Sequence, residues 1–142
     1  IIFEPGRFIA GNTAVLITKI IYIKKSNKKF FIVLDAGMNN LMRPALYDAK
    51  HQIVPLTKNK KQIKGDIEFV GPVCESSDKF LKKSSFSQIK EGDYLGLTHV
   101  GAYGMSLSSN YNTRPTIAEV MVTGSKIKLI RKRQSLENLV NN

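Results

Sequence analysis

The only cysteine in the chain is followed directly by a glutamate, within the segment GPVCESSD at residues 71–78. A thiol and a carboxylate side by side on a turn are candidates for chemistry, though not on their own. A lone cysteine is more often a small buried hydrophobic residue. The pair therefore needs support from the rest of the chain before it predicts a function.

A second candidate pair lies in MNNLMRPALYD, residues 38–48. Pro44 suits the first turn of a short helix, and Arg43 and Tyr47 are four residues apart, so both would lie on one face of that helix. A guanidinium and a phenol on one face can bind an anion. The same spacing fits an ordinary surface pair on a short connector, and the residues alone leave both interpretations open.

Two glycine-containing turns could present further side chains. The turn EPGR at residues 4–7 would aim Arg7 in a defined direction. Tyr103 stands in GAYG, where small neighbours let the backbone approach a ligand while the ring projects from a fixed point. His99 has no second histidine or acidic cluster at metal-ligand spacing, so we expect it to pack in a strand, and we predict no metal site.

Length and composition indicate one globular unit. The chain has 142 residues, and 42% of them are hydrophobic, which is enough for a core. One cysteine allows no internal disulfide, and no run approaches the roughly 18 apolar residues of a membrane helix. We therefore expect a cytoplasmic protein without a membrane partner. Because the chain begins IIFEPGRF, without a methionine, we expect it to be part of a longer protein.

The formal net charge of +11 raises an alternative, a basic β-domain that binds nucleic acid or an acidic lipid surface. The lysines stand in short clusters, mostly between apolar runs, where solvated turns would place them. Aromatic residues are not interleaved with these clusters, as a platform for single strands would require. We therefore expect no nucleic-acid partner.

Short β-branched runs separated by turn signals predict seven or eight strands and little helix. The predicted strands cover residues 8–23, 30–34, 51–56, 67–73, 94–100, 117–123 and 126–131, and the first is long enough to be bent or bulged. Residues 80–90 are predicted to form a loop, and Ser135 is predicted to cap a short tail helix. This pattern is typical of an all-β, antiparallel barrel or sandwich.

Five segments, taken together and in this order, resemble diaminopimelate decarboxylases, which are pyridoxal-phosphate enzymes of the alanine-racemase-like class. The segments are EPGRFI (4–9), DAGMNNLMRPALYDA (35–49), GPVCESSD (71–78), GDYLGLTHVGAYGMSLSSNYN (92–112) and RPTIAEVMV (114–122). The similarity extends over nearly the whole chain, so it is far more specific than any one of its motifs.

The resemblance implies a two-domain enzyme with an N-terminal (β/α)8 barrel, which carries the Schiff-base lysine, and a C-terminal, Greek-key-like β-domain. Residues 1–10 would be the end of that barrel and the crossover, and residues 11–142 would be the C-terminal β-domain. The barrel would then be missing here, and this fragment alone would be inactive. The resemblance also implies a homodimer in which each active site takes its cysteine loop from the other subunit.

The implied reaction is decarboxylation of meso-2,6-diaminopimelate to L-lysine and CO2, the last step of lysine biosynthesis, with pyridoxal 5'-phosphate as the cofactor. Because the cofactor takes up the electron pair that CO2 leaves behind, the protein has to orient the breaking bond and deliver one proton. By resemblance, Cys74 is the proton donor, and Arg7, Arg43, Tyr47, Glu75 and Tyr103 bind the substrate. The implied cofactor contacts are Glu4, Gly6, Arg7 and Tyr103.

The residue after the cysteine bears on the substrate. Ornithine and arginine decarboxylases of the same superfamily typically have aspartate there, whereas this chain has Glu75. Together with Arg43 and Tyr47, which would bind a second carboxylate, Glu75 favours diaminopimelate. A relative that acts on ornithine, arginine or carboxynorspermidine is the alternative. The family often has glycine where this chain has Ser77, a mild change to the turn.

Overall fold

The computed structural model describes residues 1–57 and 59–141 of the chain, and these form mostly strands. The strands are β1 (Val15–Ser26), β2 (Lys29–Leu34), β3 (Ile53–Pro55), β4 (Gln62–Val70), β5 (Lys79–Ser87), β6 (Tyr94–Thr98), β7 (Glu119–Thr123) and β8 (Lys126–Arg131). The helices are short: α1 (Arg7–Ala10), α2 (Arg43–Tyr47) and α3 (Leu136–Val140), with single 3-10 turns at Gly11–Thr13, Met105–Leu107 and Tyr111–Thr113.

Strand β1 is bent, as its length predicted, and it joins the two halves of the main sheet. Its first half pairs with β6 and its second half with β2, and one extra residue bulges out between Ile20 and Tyr22. A bulge increases the local twist, so a 12-residue strand can follow a curved sheet. The hairpin turn to β2 contains Asn27 at φ 53°, a left-handed conformation that asparagine tolerates well.

The main sheet has six strands in the order β3-β6-β1-β2-β4-β5, and β7 and β8 form a separate hairpin. Ile53 of β3 and Phe80 of β5, on the two edge strands, belong to one buried cluster. The sheet must therefore curl around this core, which agrees with the barrel-like fold predicted from the sequence.

The prediction of a wholly antiparallel sheet is wrong at one position, because β2 and β4 pair in parallel. Between these strands the chain passes through α2 and then through β3, which pairs with β6 at the other side of the sheet. When β4 then pairs with β2, it runs in the same direction as β2, and the pair is parallel. No local sequence signal shows which non-consecutive strands pair.

The segment predicted to be a loop at residues 80–90 is instead mostly strand β5, which pairs with β4 and lies at the edge of the sheet. Phe80 and Phe86 are buried, while the polar residues between them are exposed or half-buried. The ring of Phe86 packs edge-on against Phe69, with centroids 4.9 Å apart. An edge strand can carry exposed lysine and serine residues. Apolar and polar residues therefore alternate too irregularly in this segment for the sequence to predict a strand.

The first predicted strand also begins later than expected. Residues 7–13 form α1 and a 3-10 turn, and β1 starts only at Val15. The main-chain N–H of Gly101 donates to the carbonyl of Gly11 at 3.0 Å, and a Cβ on Gly101 would overlap the carbonyl oxygen of Ala10. This contact, which only glycine permits, holds the segment in helical turns against the loop that follows β6.

The structure of the C-terminal segment agrees with the prediction of two strands and a short helix. Strands β7 and β8 pair around Gly124, which has φ 59°, and Arg131 binds Glu119 at 2.8 Å. Ser135 caps α3 by accepting a hydrogen bond from the N–H of Asn138 at 3.1 Å. In the described part of the chain, no helix has the length and apolar character needed to cross a membrane.

Candidate active site

The turn that carries Cys74 and Glu75 connects β4 to β5 and is exposed at both residues. Its backbone is closed by short hydrogen bonds, in which the N–H of Glu75 donates to the carbonyl of Val73 at 2.8 Å and the N–H of Asp78 donates to the carbonyl of Glu75 at 3.0 Å. The thiol therefore projects from a tight, ordered turn and is accessible to a partner or a substrate. This exposure does not support the interpretation of Cys74 as a buried hydrophobic residue.

Asp78 anchors this turn from inside. Its side chain is buried, and its carboxylate accepts hydrogen bonds from the N–H of Met38 at 2.7 Å and the N–H of Val73 at 2.8 Å. A Cβ at Gly71 would overlap this carboxylate, so glycine is needed there. Burial raises the pKa of Asp78 above the ordinary aspartate value, although both hydrogen bonds and the charge of Arg114 oppose the rise.

Glu75 has the opposite electrostatic character. The N–H of Ser77 and the hydroxyl of Ser76 donate to its carboxylate at 3.4 and 3.3 Å, and these hydrogen bonds lower the pKa of Glu75 below its ordinary value. Because the side chain is fully exposed, it stays ionised at neutral pH and ready to pair with a cation. A negative carboxylate thus lies next to the thiol.

A second group of polar residues surrounds His51, which is buried just before β3. Its Nε2 lies 3.4 Å from Nη1 of Arg43, and its Nδ1 lies 3.0 Å from the carbonyl oxygen of Thr98. Nε of Arg43 is itself buried and has no hydrogen-bond partner among the described residues. The α2 helix thus presents a half-buried guanidinium whose orientation is fixed by a histidine.

Burial lowers the pKa of His51 below the ordinary histidine value. The hydrogen bond to Thr98 acts in the opposite direction, and the positive charges of Arg43, His99 and Arg7 lower the pKa further. His51 is therefore neutral at neutral pH. The action of all three charges on one imidazole also places Arg7 and Arg43 in the same region.

Tyr103 lies close to the EPGR turn. A Cβ on Gly6 would be 3.6 Å from the Tyr103 hydroxyl, so this hydroxyl and the backbone of the turn face one another. Tyr103 is 50% exposed and adopts φ 60°, an uncommon left-handed conformation for a bulky residue. Such strain persists only where the surroundings impose it, and it is frequent at functional sites.

The structure thus brings some predicted site residues together and leaves others alone. Arg7, Arg43, Gly6 and Tyr103 lie in one region, while Cys74 and Glu75 are on a turn that no hydrogen bond or ion pair in the described part of the chain links to them. Tyr47 follows Arg43 on α2 and is 63% exposed. Glu4 is exposed and, among the described residues, makes no side-chain hydrogen bond or ion pair.

Sequence reasoning missed His51 and the anchors of the cysteine turn. Asp78 is part of GPVCESSD, and its role could have been suspected because an acidic residue directly after two serines can accept hydrogen bonds from the backbone of a turn. His51 gave no local signal. The expectation for His99 was wrong, because this residue is exposed and adopts φ 61° directly after β6. In the described ranges, no group of three or more histidine, cysteine, aspartate or glutamate residues could hold a metal ion.

Residues 8–101 match the family described as pyridoxal-dependent decarboxylase, C-terminal sheet domain, and the chain belongs to this family. Curated relatives of the chain within this family are diaminopimelate decarboxylases. The chain is 49% identical over 140 residues to the diaminopimelate decarboxylase of Zymomonas mobilis and 50% identical over 139 residues to that of Vibrio cholerae. These alignments cover 99% and 98% of this chain but only 33% of each relative. The chain thus spans about one third of the length of these relatives.

Solved structures agree in fold and extent. The diaminopimelate decarboxylase of Helicobacter pylori complexed with L-lysine superposes with a TM-score of 0.88 at 45% identity, over 97% of this chain and 34% of that one. A lysine/ornithine decarboxylase from Vibrio vulnificus shares the fold, with a TM-score of 0.67 at 21% identity over 78% of this chain and 30% of that one. The domain fold thus extends to decarboxylases with other substrates.

Proposed function

We propose that this chain is the C-terminal part of an enzyme that decarboxylates meso-2,6-diaminopimelate to L-lysine and CO2, using pyridoxal 5'-phosphate. The observation that carries the proposal is similarity of 45 to 50% identity to diaminopimelate decarboxylases along essentially the whole chain. The charges of the candidate site support it, because two arginines and an ionised glutamate suit a substrate with two carboxylates and two amino groups.

The residues in hand fit the phosphate of the cofactor. The Tyr103 hydroxyl would lie 3.6 Å from a Cβ on Gly6, which is an ordinary contact distance, so this hydroxyl and the main chain of the turn would face the same phosphate. Arg7 follows in the same turn and supplies positive charge, and Glu4 begins the turn. When bound, pyridoxal phosphate supplies the electron sink that makes loss of CO2 from an amino acid possible.

The other side chains of this domain would bind the substrate and move one proton. Arg43 and Tyr47 would hold the distal carboxylate, and Arg7 would bind the carboxylate next to the cofactor. Glu75, which is exposed and ionised, would pair with the distal ammonium group. The Cys74 thiol would donate a proton to the carbon that loses CO2.

The assembly follows from the same proposal. Residues 1–10 would end an N-terminal (β/α)8 barrel that carries the Schiff-base lysine, and residues 11–142 would be the Greek-key-like C-terminal domain. Cys74 and Glu75 would serve the active site of the second subunit of a homodimer. Within residues 1–57 and 59–141, no hydrogen bond or ion pair links their exposed turn to Arg7 or Arg43, and this supports the division. The cytoplasmic location and the absence of nucleic-acid and membrane partners stay predictions.

The test is CO2 release by the full-length protein with pyridoxal phosphate, from meso-diaminopimelate, L-ornithine and L-arginine in parallel. We expect release from diaminopimelate. Release from ornithine or arginine instead would keep the fold and the role of Cys74 but would overturn the substrate. The second candidate, a decarboxylase of such basic amino acids, is favoured only by the shared fold of the Vibrio vulnificus enzyme.

The roles of the cysteine turn are tested separately. In the full-length protein, Cys74→Ala should reduce turnover far more than it weakens binding of the cofactor, and near-normal turnover would exclude the proton-donor role. A Cys74 variant mixed with a variant of the barrel lysine should regain activity through hybrid dimers. If the subunits exchange and no activity returns, the active sites are not shared.

A further inference from the structure

We propose that His51 is a positioning residue, which holds the guanidinium of Arg43 in the orientation that binds the distal carboxylate of the substrate. The inference rests on the proposed function, in which Arg43 has that role. Neither the sequence motifs nor the similarity to known decarboxylases assigned any part to His51.

The contacts of the imidazole define what it can do. Nδ1 lies 3.0 Å from the Thr98 carbonyl, which can only accept, so Nδ1 must carry the hydrogen. In a neutral ring Nε2 is then an acceptor, and the group it faces at 3.4 Å is Nη1 of Arg43, which can only donate. Both contacts are satisfied by one protonation state, the neutral Nδ1–H tautomer.

This contact matters because little else fixes the arginine. Nε of Arg43 is buried without a partner among the described residues, so the bond to His51 is the side-chain hydrogen bond that sets the direction of the guanidinium. The backbone of β6 in turn sets the ring, through Thr98. A chain of two hydrogen bonds thus ties a substrate-binding group on α2 to the main sheet.

The surroundings keep the ring in the required state. The charged and titratable groups that act on His51 are Arg43, His99 and Arg7, and all three disfavour a second proton on it. Protonation would turn Nε2 into a donor facing another donor. The hold on Arg43 is therefore lost as the pH falls below the ordinary histidine range near 6.5.

A histidine that only filled space would behave differently, and variants of the full-length holoenzyme separate the two roles. His51→Phe keeps a ring but neither polar atom. His51→Asn keeps a donor for the Thr98 carbonyl and loses the Arg43 contact. His51→Gln places an amide oxygen near the position of Nε2, so Arg43 keeps an acceptor that cannot be protonated.

We expect the Phe and Asn variants to raise KM for meso-diaminopimelate roughly tenfold at pH 8, with kcat changed less than about twofold, since one hydrogen bond to a charged group is lost. The Gln variant should have nearly the wild-type KM. Between pH 8 and 5.5 the wild-type KM should rise, and that of His51→Gln should stay flat. His99→Gln removes an exposed histidine nearby but keeps both hydrogen-bond contacts of His51, so it is the control, and its KM at pH 8 should match that of the wild type.

Unchanged KM in the Phe and Asn variants would overturn the inference. So would a Gln variant as impaired as the Phe variant, because an acceptor for Arg43 would then not restore binding of the substrate.

A readout that needs no turnover separates this inference from the proposed function. In full-length protein with isotope-labelled histidine, the NMR signal that disappears in His51→Gln should show the neutral Nδ1–H tautomer at pH 7.5. In Arg43→Leu the same ring should titrate at higher pH. An Nε2–H tautomer would refute the contact whatever the activity. The Nδ1–H tautomer without CO2 release from diaminopimelate would refute the proposed substrate, and with it the substrate half of this inference.

Discussion

Removal of the Asp78 carboxylate should loosen the turn that carries Cys74 and Glu75. The carboxylate accepts the main-chain N–H groups of Met38 and Val73 at 2.7 and 2.8 Å. Asp78→Ala would leave both donors without a partner, and each such buried group costs about 1 to 3 kcal/mol. Part of that cost is offset, because burial of the charge also disfavours the folded turn, as the raised pKa of Asp78 indicates. We expect a net local loss of about 3 kcal/mol.

Hydrogen exchange measures this loss at the two amides themselves. A local loss of about 3 kcal/mol corresponds to roughly a hundredfold faster exchange at Met38 and Val73, since each 1.4 kcal/mol is tenfold. Asp78→Asn should lie between the alanine variant and the wild type, because an amide offers one oxygen but turns a donor towards the second N–H. Asp66→Ala removes a half-exposed carboxylate that lies 4.0 Å from Lys29, and it should leave both amides unchanged.

Unaltered exchange at Met38 and Val73 in Asp78→Ala would refute the anchoring role. Faster exchange throughout the domain, rather than at the turn, would show that Asp78 stabilises the whole fold and not this segment. The rate at which the Cys74 thiol reacts with a soluble disulfide reagent gives a second measurement. This rate should change in Asp78→Ala, where the turn loosens, and stay at the wild-type value in Asp66→Ala.

Three further predictions concern the fold. Phe69→Ala should cost about 3 to 5 kcal/mol in a urea titration, because Phe69 is fully buried in the core. Gly101→Ala should lower the melting temperature strongly, since the Cβ would overlap the Ala10 carbonyl, whereas Gly124→Ala, with φ 59° and open space, should cost only about 1 kcal/mol. Because the folded pKa of His51 is lowered, its stabilisation is present above pH 6.5 and lost as the pH falls; unfolding midpoints of His51→Gln should depend less on pH between 7.5 and 5.5.

Local signals in the sequence were sufficient for the β1-β2 and β7-β8 hairpins, for the start of α2 and for the cap of α3. The turn at Asn27, the turn at Gly124 and the cap at Ser135 all depend on residues within a few positions of one another. Pro44 likewise marked the start of α2. The same reasoning failed for the parallel pairing of β2 with β4, which is decided by the path of the intervening chain.

The candidate site shows the same limit. Cys74, Arg43 and Tyr103 were found because they stand in motifs of a recognisable family, and their roles stay predictions. His51 was not found, since its importance depends on Thr98, 47 residues later, and on an arginine eight residues earlier. Such a contact exists only after the sheet has formed, so neither periodicity nor composition can reveal it.

The turn between β2 and α2, residues 35–40, connects parts of the chain that sequence analysis treated separately. Arg114 donates to the carbonyl of Asp35 at 2.6 Å and to Oδ1 of Asn39 at 3.1 Å, while the buried Thr18 of β1 donates to the Asp35 carboxylate at 2.5 Å. Asp78 reaches the same turn through the N–H of Met38. The cysteine turn, the bent strand β1 and the loop after β6 are therefore all attached to six residues. Because these attachments are directional hydrogen bonds, they restrict the position of Cys74 more narrowly than apolar packing would.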